Sequence, residues 1–260
     1  VAFQTILFGK ENGIGTVTIN RPQAANALND LAYQELLEAF QQIEKDPEVR
    51  VVIITGAGEK SFVAGTDITN MAKLNTQEAR EFATGLKKTF DLIANLPKPV
   101  IAAVNGYAFG GGLEIALASD MILASENARF GQLEINVGII PGSGGTQRLQ
   151  RLIGINKAKE MIYTGAIIDA KSAYEMGMLN KVVPLADLMK EAKALAQKML
   201  EKSSVILALA KLAINNGANV DLNTGLNVEL QCFAQCFATE DQKEAMQAFL
   251  EKRKPQLKNK

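Results

Sequence analysis

Val100-Ile101-Ala102-Ala103-Val104-Asn105-Gly106-Tyr107-Ala108-Phe109-Gly110-Gly111-Gly112-Leu113-Glu114-Ile115-Ala116-Leu117-Ala118 decides how this chain is read. It begins as an apolar run of the kind found in strands buried on both faces, and it ends as an apolar helix. Between the two, Gly110, Gly111 and Gly112 let backbone come close to a ligand. The helix start offers N–H groups without intrahelical partners at the positive end of the helix dipole. That combination suits a negatively charged oxygen; a glycine turn needed only for tight packing is the other reading of the same residues. A dinucleotide fingerprint beginning at Gly110 would need glycine at 115, where Ile115 stands, and no Gly-Lys-Ser/Thr follows as a phosphate loop requires. Glu114 is the sole charge between Val100 and Ser119. Burial there would raise its pKa unless a partner, such as a structural ion pair, compensated.

Working outward, Ile14 to Asn20 reads as a strand stopped by Arg21-Pro22. Asn29 or Asp30 can then cap a helix through about Lys45, with Leu31, Leu36, Leu37, Phe40 and Ile43 along one side. Val51 to Thr55 is a second buried strand, a helix covers about Thr76 to Asn95, and Met121 to Ala124 is a further short strand. From about Gly142 the pattern turns helical, broken by Lys181-Val182-Val183, with amphipathic segments over 185–202, 203–217, 221–238 and 240–252. Strand–helix alternation followed by helices predicts an α/β core, placed at residues 1–200, and a helical C-terminal region at 201–260.

Composition narrows the chemistry. The chain has 260 residues, 28 Lys plus Arg, 28 Asp plus Glu and no histidine. Without histidine there is no Ser-His-Asp or Cys-His mechanism and no His-bearing zinc site, so proton transfer falls to carboxylates, Lys, Tyr or Cys. Zero formal net charge gives no global attraction to nucleic acid or an anionic membrane, and no apolar run approaches the length of a membrane span. Two cysteines, Cys232 and Cys236, make no disulfide framework; four apart on a helix, they read as small packing residues in a reducing compartment. Val1-Ala2-Phe3-Gln4 has no secretory pattern, and a cytoplasmic location is the expectation.

Two more segments carry candidate chemistry. Glu134 lies in Phe130-Gly131-Gln132-Leu133-Glu134 with apolar flanks, followed by the glycine-rich turn Pro141-Gly142-Ser143-Gly144-Gly145-Thr146. Taken alone, Glu134 also reads as an exposed loop residue. Ser143 is no activated serine: G-x-S-x-G would need glycine where Pro141 stands, and no histidine exists to serve it. Upstream, Lys60 to Ile68 forms a small-residue turn in which Asp67 can cap the short helix that follows.

Taken together and in order, Ser61 to Ile68, Lys98 to Gly106, Gly110 to Glu114, Phe130 to Glu134 and Pro141 to Leu149 resemble the crotonase, or enoyl-CoA hydratase, superfamily across nearly the whole chain; Phe249 to Pro255 resembles the end of a hydratase. The resemblance implies a spiral of ββα units with a helical C-terminal region supporting homotrimers, commonly paired into hexamers. It implies hydration of a short 2-enoyl-CoA such as crotonyl-CoA, a reaction of fatty-acid β-oxidation. The backbone N–H groups of Thr66 and Gly111 would form the oxyanion hole. Glu114 would deprotonate the attacking water, Glu134 would deliver a proton to C2, the Gly142 N–H would orient the water, and Gln132 would support the site. Ala64 would meet the adenine and Lys60 the CoA phosphates. Phe249 and Lys252 would reach CoA, either the chain's own or a neighbouring subunit's, although an amphipathic helix end reads the same way.

The resemblance implies no metal or redox cofactor, CoA being part of the substrate. Two positions depart from the family pattern: Thr66 stands where Ala is usual, and Thr69 where mammalian-type hydratases often carry Lys. Both bear on chain-length preference or CoA affinity. An enoyl-CoA or dienoyl-CoA isomerase would use the same scaffold, as would an RNA-binding relative, against which the charge balance counts.

Overall fold

A computed structural model describes residues 3–69 and 71–260. The chain opens with an antiparallel hairpin, β1 (Ile6–Glu11) and β2 (Ile14–Ile19), turned at Asn12-Gly13, both with positive φ. Asn29 caps α1 (Asp30–Lys45) by accepting from the Ala32 N–H at 3.0 Å. The buried side of α1 runs through Ala32, Tyr33, Leu36, Ala39, Phe40 and Ile43. Leu31 and Leu37, expected on that side, are only half-buried, and Tyr33 takes the inward place at the 33/36/40/43 spacing.

Three units of one pattern follow. Each contributes a strand to a large sheet, then a three-residue strand to a small sheet, then a helical segment. The first is β3 (Val51–Gly56), β4 (Ser61–Val63) and α2 (Thr76–Asn95); the second is β5 (Val100–Val104), β6 (Tyr107–Phe109) and α3 (Gly111–Ala118). The third is β7 (Met121–Ser125), β8 (Arg129–Gly131) and a 3-10 turn over Glu134–Val137, followed by α4 (Gly145–Ile153). Then come α5 (Ile155–Thr164), β9 (Ile168–Asp169), α6 (Ala170–Glu175) and β10 (Lys181–Val183). The large sheet runs β1-β2-β3-β5-β7-β10, parallel except at the first hairpin, and the small one β4-β6-β8-β9. This is the ββα spiral expected from the resemblance.

The β3 and β5 strands are buried throughout because both faces are covered. Val52, Ile54, Ala102 and Val104 face the main core with α1–α3. Val51, Ile53, Ile101 and Ala103 face Leu188, Ala192, Ala196 and Met199 of α7 (Leu188–Leu200). Three helices close the chain: α8 (Ser204–Gly217), α9 (Leu222–Cys236) and α10 (Glu240–Leu250). Cys232 is buried and Cys236 half-buried, both as free thiols. No helix among the described residues is long and apolar enough to cross a membrane.

Among the described residues, Asp67 Oδ1 accepts from the Thr69 N–H (3.1 Å) and hydroxyl (2.7 Å), closing a turn ahead of the 3-10 segment Met71–Lys73.

Candidate active site

The site forms where successive units of the spiral touch. Gly112 sets the closest approach: a Cβ there would fall 2.0 Å from the Val63 carbonyl oxygen, so the first turn of α3 lies directly on the end of β4. Residues 65–67 are clamped from the other side, since the Leu28 N–H donates to Gly65 O (2.9 Å) and the Asp67 N–H to Leu28 O (2.8 Å). In such a parallel bridge neighbouring residues alternate direction, which turns Thr66's own N–H away from residue 28. The Gly111 N–H opens α3 and has no carbonyl one turn back within the helix. A Cβ at Gly111 would meet Thr66 Oγ1 at 3.0 Å and the Tyr33 hydroxyl at 2.9 Å, so the two expected oxyanion residues are neighbours.

Glu114 is 3 % exposed, on the first turn of α3. Its Oε1 accepts from the N–H groups of Ser143 and Gly145, each at 2.8 Å. The glycine-rich turn before α4 therefore serves Glu114 as a two-pronged backbone clamp. Arg148 holds that turn in place, donating to Ser143 O (2.9 Å) and to Asp91 of α2 (3.2 Å). Burial pushes the Glu114 carboxyl up, opposed by the two backbone donors and by Arg148. No ion pair to Glu114 occurs among the described residues.

Glu134 begins the 3-10 turn, half-buried, and is pushed up to about 7 by burial, with the Glu114 charge adding to the rise. Gly110 makes room for it: at φ +49, a Cβ on Gly110 would meet Glu134 Oε1 at 3.0 Å. Gln132 is fully buried beside it. With its amide nitrogen turned to the carboxylate, Gln132 donates to both Glu134 oxygens at 3.1 Å. An amide serves either protonation state, donating to a carboxylate through nitrogen or accepting from a carboxylic acid through oxygen. Gln132 also packs on Gly145, where a Cβ would fall 2.5 Å from the amide, and so links the two carboxyl environments.

Thus Thr66, Gly111, Glu114, Glu134 and Gln132 come together. Gly142 lies exposed beside them, but the N–H groups gripping Glu114 belong to Ser143 and Gly145. Lys60 is exposed at the end of the turn before β4, its carbonyl accepting from the Tyr107 N–H (3.1 Å), and Ala64 is half-buried. Phe249 and Lys252 stand exposed at the end of α10, and among the described residues no hydrogen bond or ion pair joins them to the glutamates. The residue missed from sequence is Tyr33, whose hydroxyl lies 2.7 Å from Thr66 Oγ1. Its place in the buried stripe of α1 could have revealed that it points inward, but not that it ends at Thr66. No cluster of three His, Cys, Asp or Glu side chains suited to a metal ion occurs among the described residues.

Known proteins resemble this chain along almost its whole length. Residues 9–260 match the family model described as enoyl-CoA hydratase/isomerase. The chain is 51 % identical over 249 residues to the short-chain-enoyl-CoA hydratase of Clostridium acetobutylicum, covering 96 % of this chain and 95 % of that protein. It is 47 % identical over 254 residues to the crotonyl-CoA hydratase of Syntrophomonas wolfei, covering 98 % of each. The crystal structure of the enoyl-CoA hydratase from Bacillus anthracis superposes with a TM-score of 0.94 at 43 % identity, covering 99 % of this chain and 100 % of that one. With both glutamates at the junction of α3 and the small sheet, and a match running almost end to end, the chain belongs to the enoyl-CoA hydratase/isomerase family of the crotonase superfamily.

Proposed function

We propose that this protein reversibly adds water to short-chain trans-2-enoyl-CoA, crotonyl-CoA in particular, giving the 3-hydroxyacyl-CoA. The observation that carries the reading is a pair of carboxyl groups set in different surroundings beside one helix start: buried Glu114, gripped by two backbone N–H groups, and half-buried Glu134, beside the Gln132 amide with its carboxyl pushed up to about 7. The relatives from Clostridium and Syntrophomonas, a short-chain-enoyl-CoA hydratase and a crotonyl-CoA hydratase, support it.

In this mechanism the thioester oxygen sits between the N–H groups of Thr66 and Gly111. Glu114, as carboxylate, takes a proton from water while the water oxygen bonds to C3. The C2–C3 π electrons move toward the carbonyl, and the developing enolate oxygen is held by the two N–H groups more strongly than the ground-state carbonyl was. Glu134, as the acid, delivers its proton to C2. One proton enters the pair as another leaves, so the two carboxyl groups carry one proton between them before and after each turnover. Gly142, at the exposed mouth, is the proposed water-orienting group, with CoA as part of the substrate and no separate cofactor.

CoA would run past Ala64, with Lys60 at its phosphates and Phe249 and Lys252 supplied by a neighbouring subunit. Exposed apolar residues on α8 and α9, among them Ile214, Leu226, Leu230 and Phe233, support assembly through residues 201–260 into a homotrimer or hexamer. A cytoplasmic location, with acyl-CoA rather than nucleic acid as partner, fits the free thiols and the even charge balance.

Following loss of enoyl-thioester absorbance with crotonyl-CoA, with product identification, tests the reading on wild type, Glu114→Gln and Glu134→Gln. The expected result is 3-hydroxybutyryl-CoA from wild type and a loss of about two orders of magnitude or more in each variant. A shifted double bond with no hydroxy product would make the enzyme an isomerase instead.

A further inference from the structure

The mechanism above makes no use of the Tyr33 hydroxyl. Tyr33 is 6 % exposed, and its ring stands edge-on to Phe82 and Phe90 of α2, with centroids 6.4 and 6.2 Å away. That aromatic seat fixes the ring and aims its hydroxyl out of the core at Thr66 Oγ1, 2.7 Å away. Both oxygens then crowd the Cα of Gly111, at 2.9 and 3.0 Å from where a Cβ would stand. A pair of hydroxyls therefore lies at the start of α3, beside the N–H assigned to the thioester oxygen.

Chemistry sets the direction of the bond between them. A phenol is a stronger acid than an aliphatic alcohol, and its ring-conjugated oxygen is the poorer acceptor, so Tyr33 donates and Thr66 accepts. Burial and the negative charge of Glu114 keep the phenol protonated, which preserves that direction. Thr66 is left with its own proton free to turn toward the site, and a hydroxyl that already accepts one bond is polarised to donate the next.

We propose that Tyr33 and Thr66 form a two-hydroxyl relay that gives the oxyanion site a third donor: Tyr33 donates to Thr66 Oγ1, and Thr66 Oγ1–H donates to the thioester oxygen already held by the N–H groups of Thr66 and Gly111. The proposal rests on the hydratase reading above. Thr66 acts twice, through backbone and side chain, and Tyr33 is a positioning residue that acts through Thr66. No proton is transferred along the relay. Its donor strengthens as charge develops on the oxygen, so its effect belongs in kcat rather than in KM.

The test is steady-state hydration of crotonyl-CoA by wild type, Thr66→Val, Thr66→Ser, Tyr33→Phe and the Tyr33→Phe/Thr66→Val double variant, each with its melting temperature. Thr66→Val keeps the backbone N–H and the side-chain outline while removing the hydroxyl. Its kcat is expected to fall about tenfold or more, with KM changed less than about twofold, the mark of an interaction made in the transition state. Thr66→Ser should keep kcat within about threefold. Tyr33→Phe should lose kcat severalfold, and the double variant should be no slower than Thr66→Val, because both changes act through one hydrogen bond.

A Thr66→Val enzyme with wild-type kcat, or losses that multiply in the double variant, would overturn the relay. So would a Tyr33→Phe loss that tracks a fall in melting temperature while Thr66→Val stays fully active, since Tyr33 would then be structural only. Failure of the wild type to form 3-hydroxybutyryl-CoA would remove the hydratase reading and the relay with it. Wild-type turnover with an indifferent Thr66 would remove the relay alone.

Discussion

In the proposed mechanism Glu134 ties activity and stability to the same proton. Its carboxyl, normally near 4.5, is pushed up to about 7 by burial and then by the Glu114 charge. In that mechanism the pair carries one proton, so activity should fall at alkaline pH when that proton leaves and at acid pH when a second one binds. Hydration takes up no net proton, and kcat/KM for hydration and dehydration must therefore follow the same bell. We predict an alkaline limb near pH 7 in both directions, checked by pH–rate profiles with crotonyl-CoA and with 3-hydroxybutyryl-CoA. For stability, a folded pKa above the unfolded one means the group's contribution is complete below about pH 4.5 and is lost as pH rises through about 7. Glu134→Gln should therefore melt above wild type at pH 8 and close to it at pH 5 in parallel thermal scans, while losing activity at both. Equal wild-type and variant melting curves at pH 8 would show that Glu134 ionises without cost.

At the scale of elements, what was legible in the sequence followed length and periodicity. The α2 helix lies where the pattern put it, at Thr76–Asn95, and its start is fixed by a capping box between Asn75 and Glu78. The β3 and β5 strands were recognisable from apolar runs that only a strand covered on both faces can afford. By contrast β4, β6 and β8 have three residues each, too few for an alternation, and exist because strands from successive units pair side by side. The candidate site sits on the ends of those short strands. Its residues could be picked out from their types and their motif, but the partners holding them, Ser143, Gly145 and Tyr33, depend on how the units stack. Gly112 is where that stacking is tightest, against the backbone of Val63, which cannot swing aside. Gly112→Ala is expected to cost about 2–3 kcal/mol through overpacking. It should also lower kcat by separating Gly111 from Thr66. Circular-dichroism melts and crotonyl-CoA kinetics would check both; an unshifted melt would mean that α3 and β4 part without cost.

The molecule as a whole leaves its last helices oddly dressed for a solitary chain. The α8 helix is anchored to the core by polar groups: Lys211 pairs with Asp120 at 2.8 Å and donates to Lys98 O, and Asn215 donates to Ala94 O. On α9, Leu226, Leu230 and Phe233 follow one another at helical spacing along one side, 51, 58 and 62 % exposed. Apolar stripes of that kind on an otherwise well-packed chain mark protein interfaces. If they are the assembly surface, a charge there should separate subunits without unfolding the core, because α9 contributes none of the side chains that pack around β3 and β5. Leu230→Glu/Phe233→Glu is therefore expected to sediment as a monomer with a wild-type far-ultraviolet spectrum. Its kinetics then decide whether the neighbour matters to the site. Glu114, Glu134, Thr66 and Gly111 all come from one chain, so a monomer that keeps kcat but binds crotonyl-CoA about tenfold or more weakly would place a CoA contact, such as Phe249 or Lys252, on the neighbouring subunit. A monomer with unchanged KM would mean that each chain holds its substrate alone, and Phe249 and Lys252 would lose their proposed part in binding CoA.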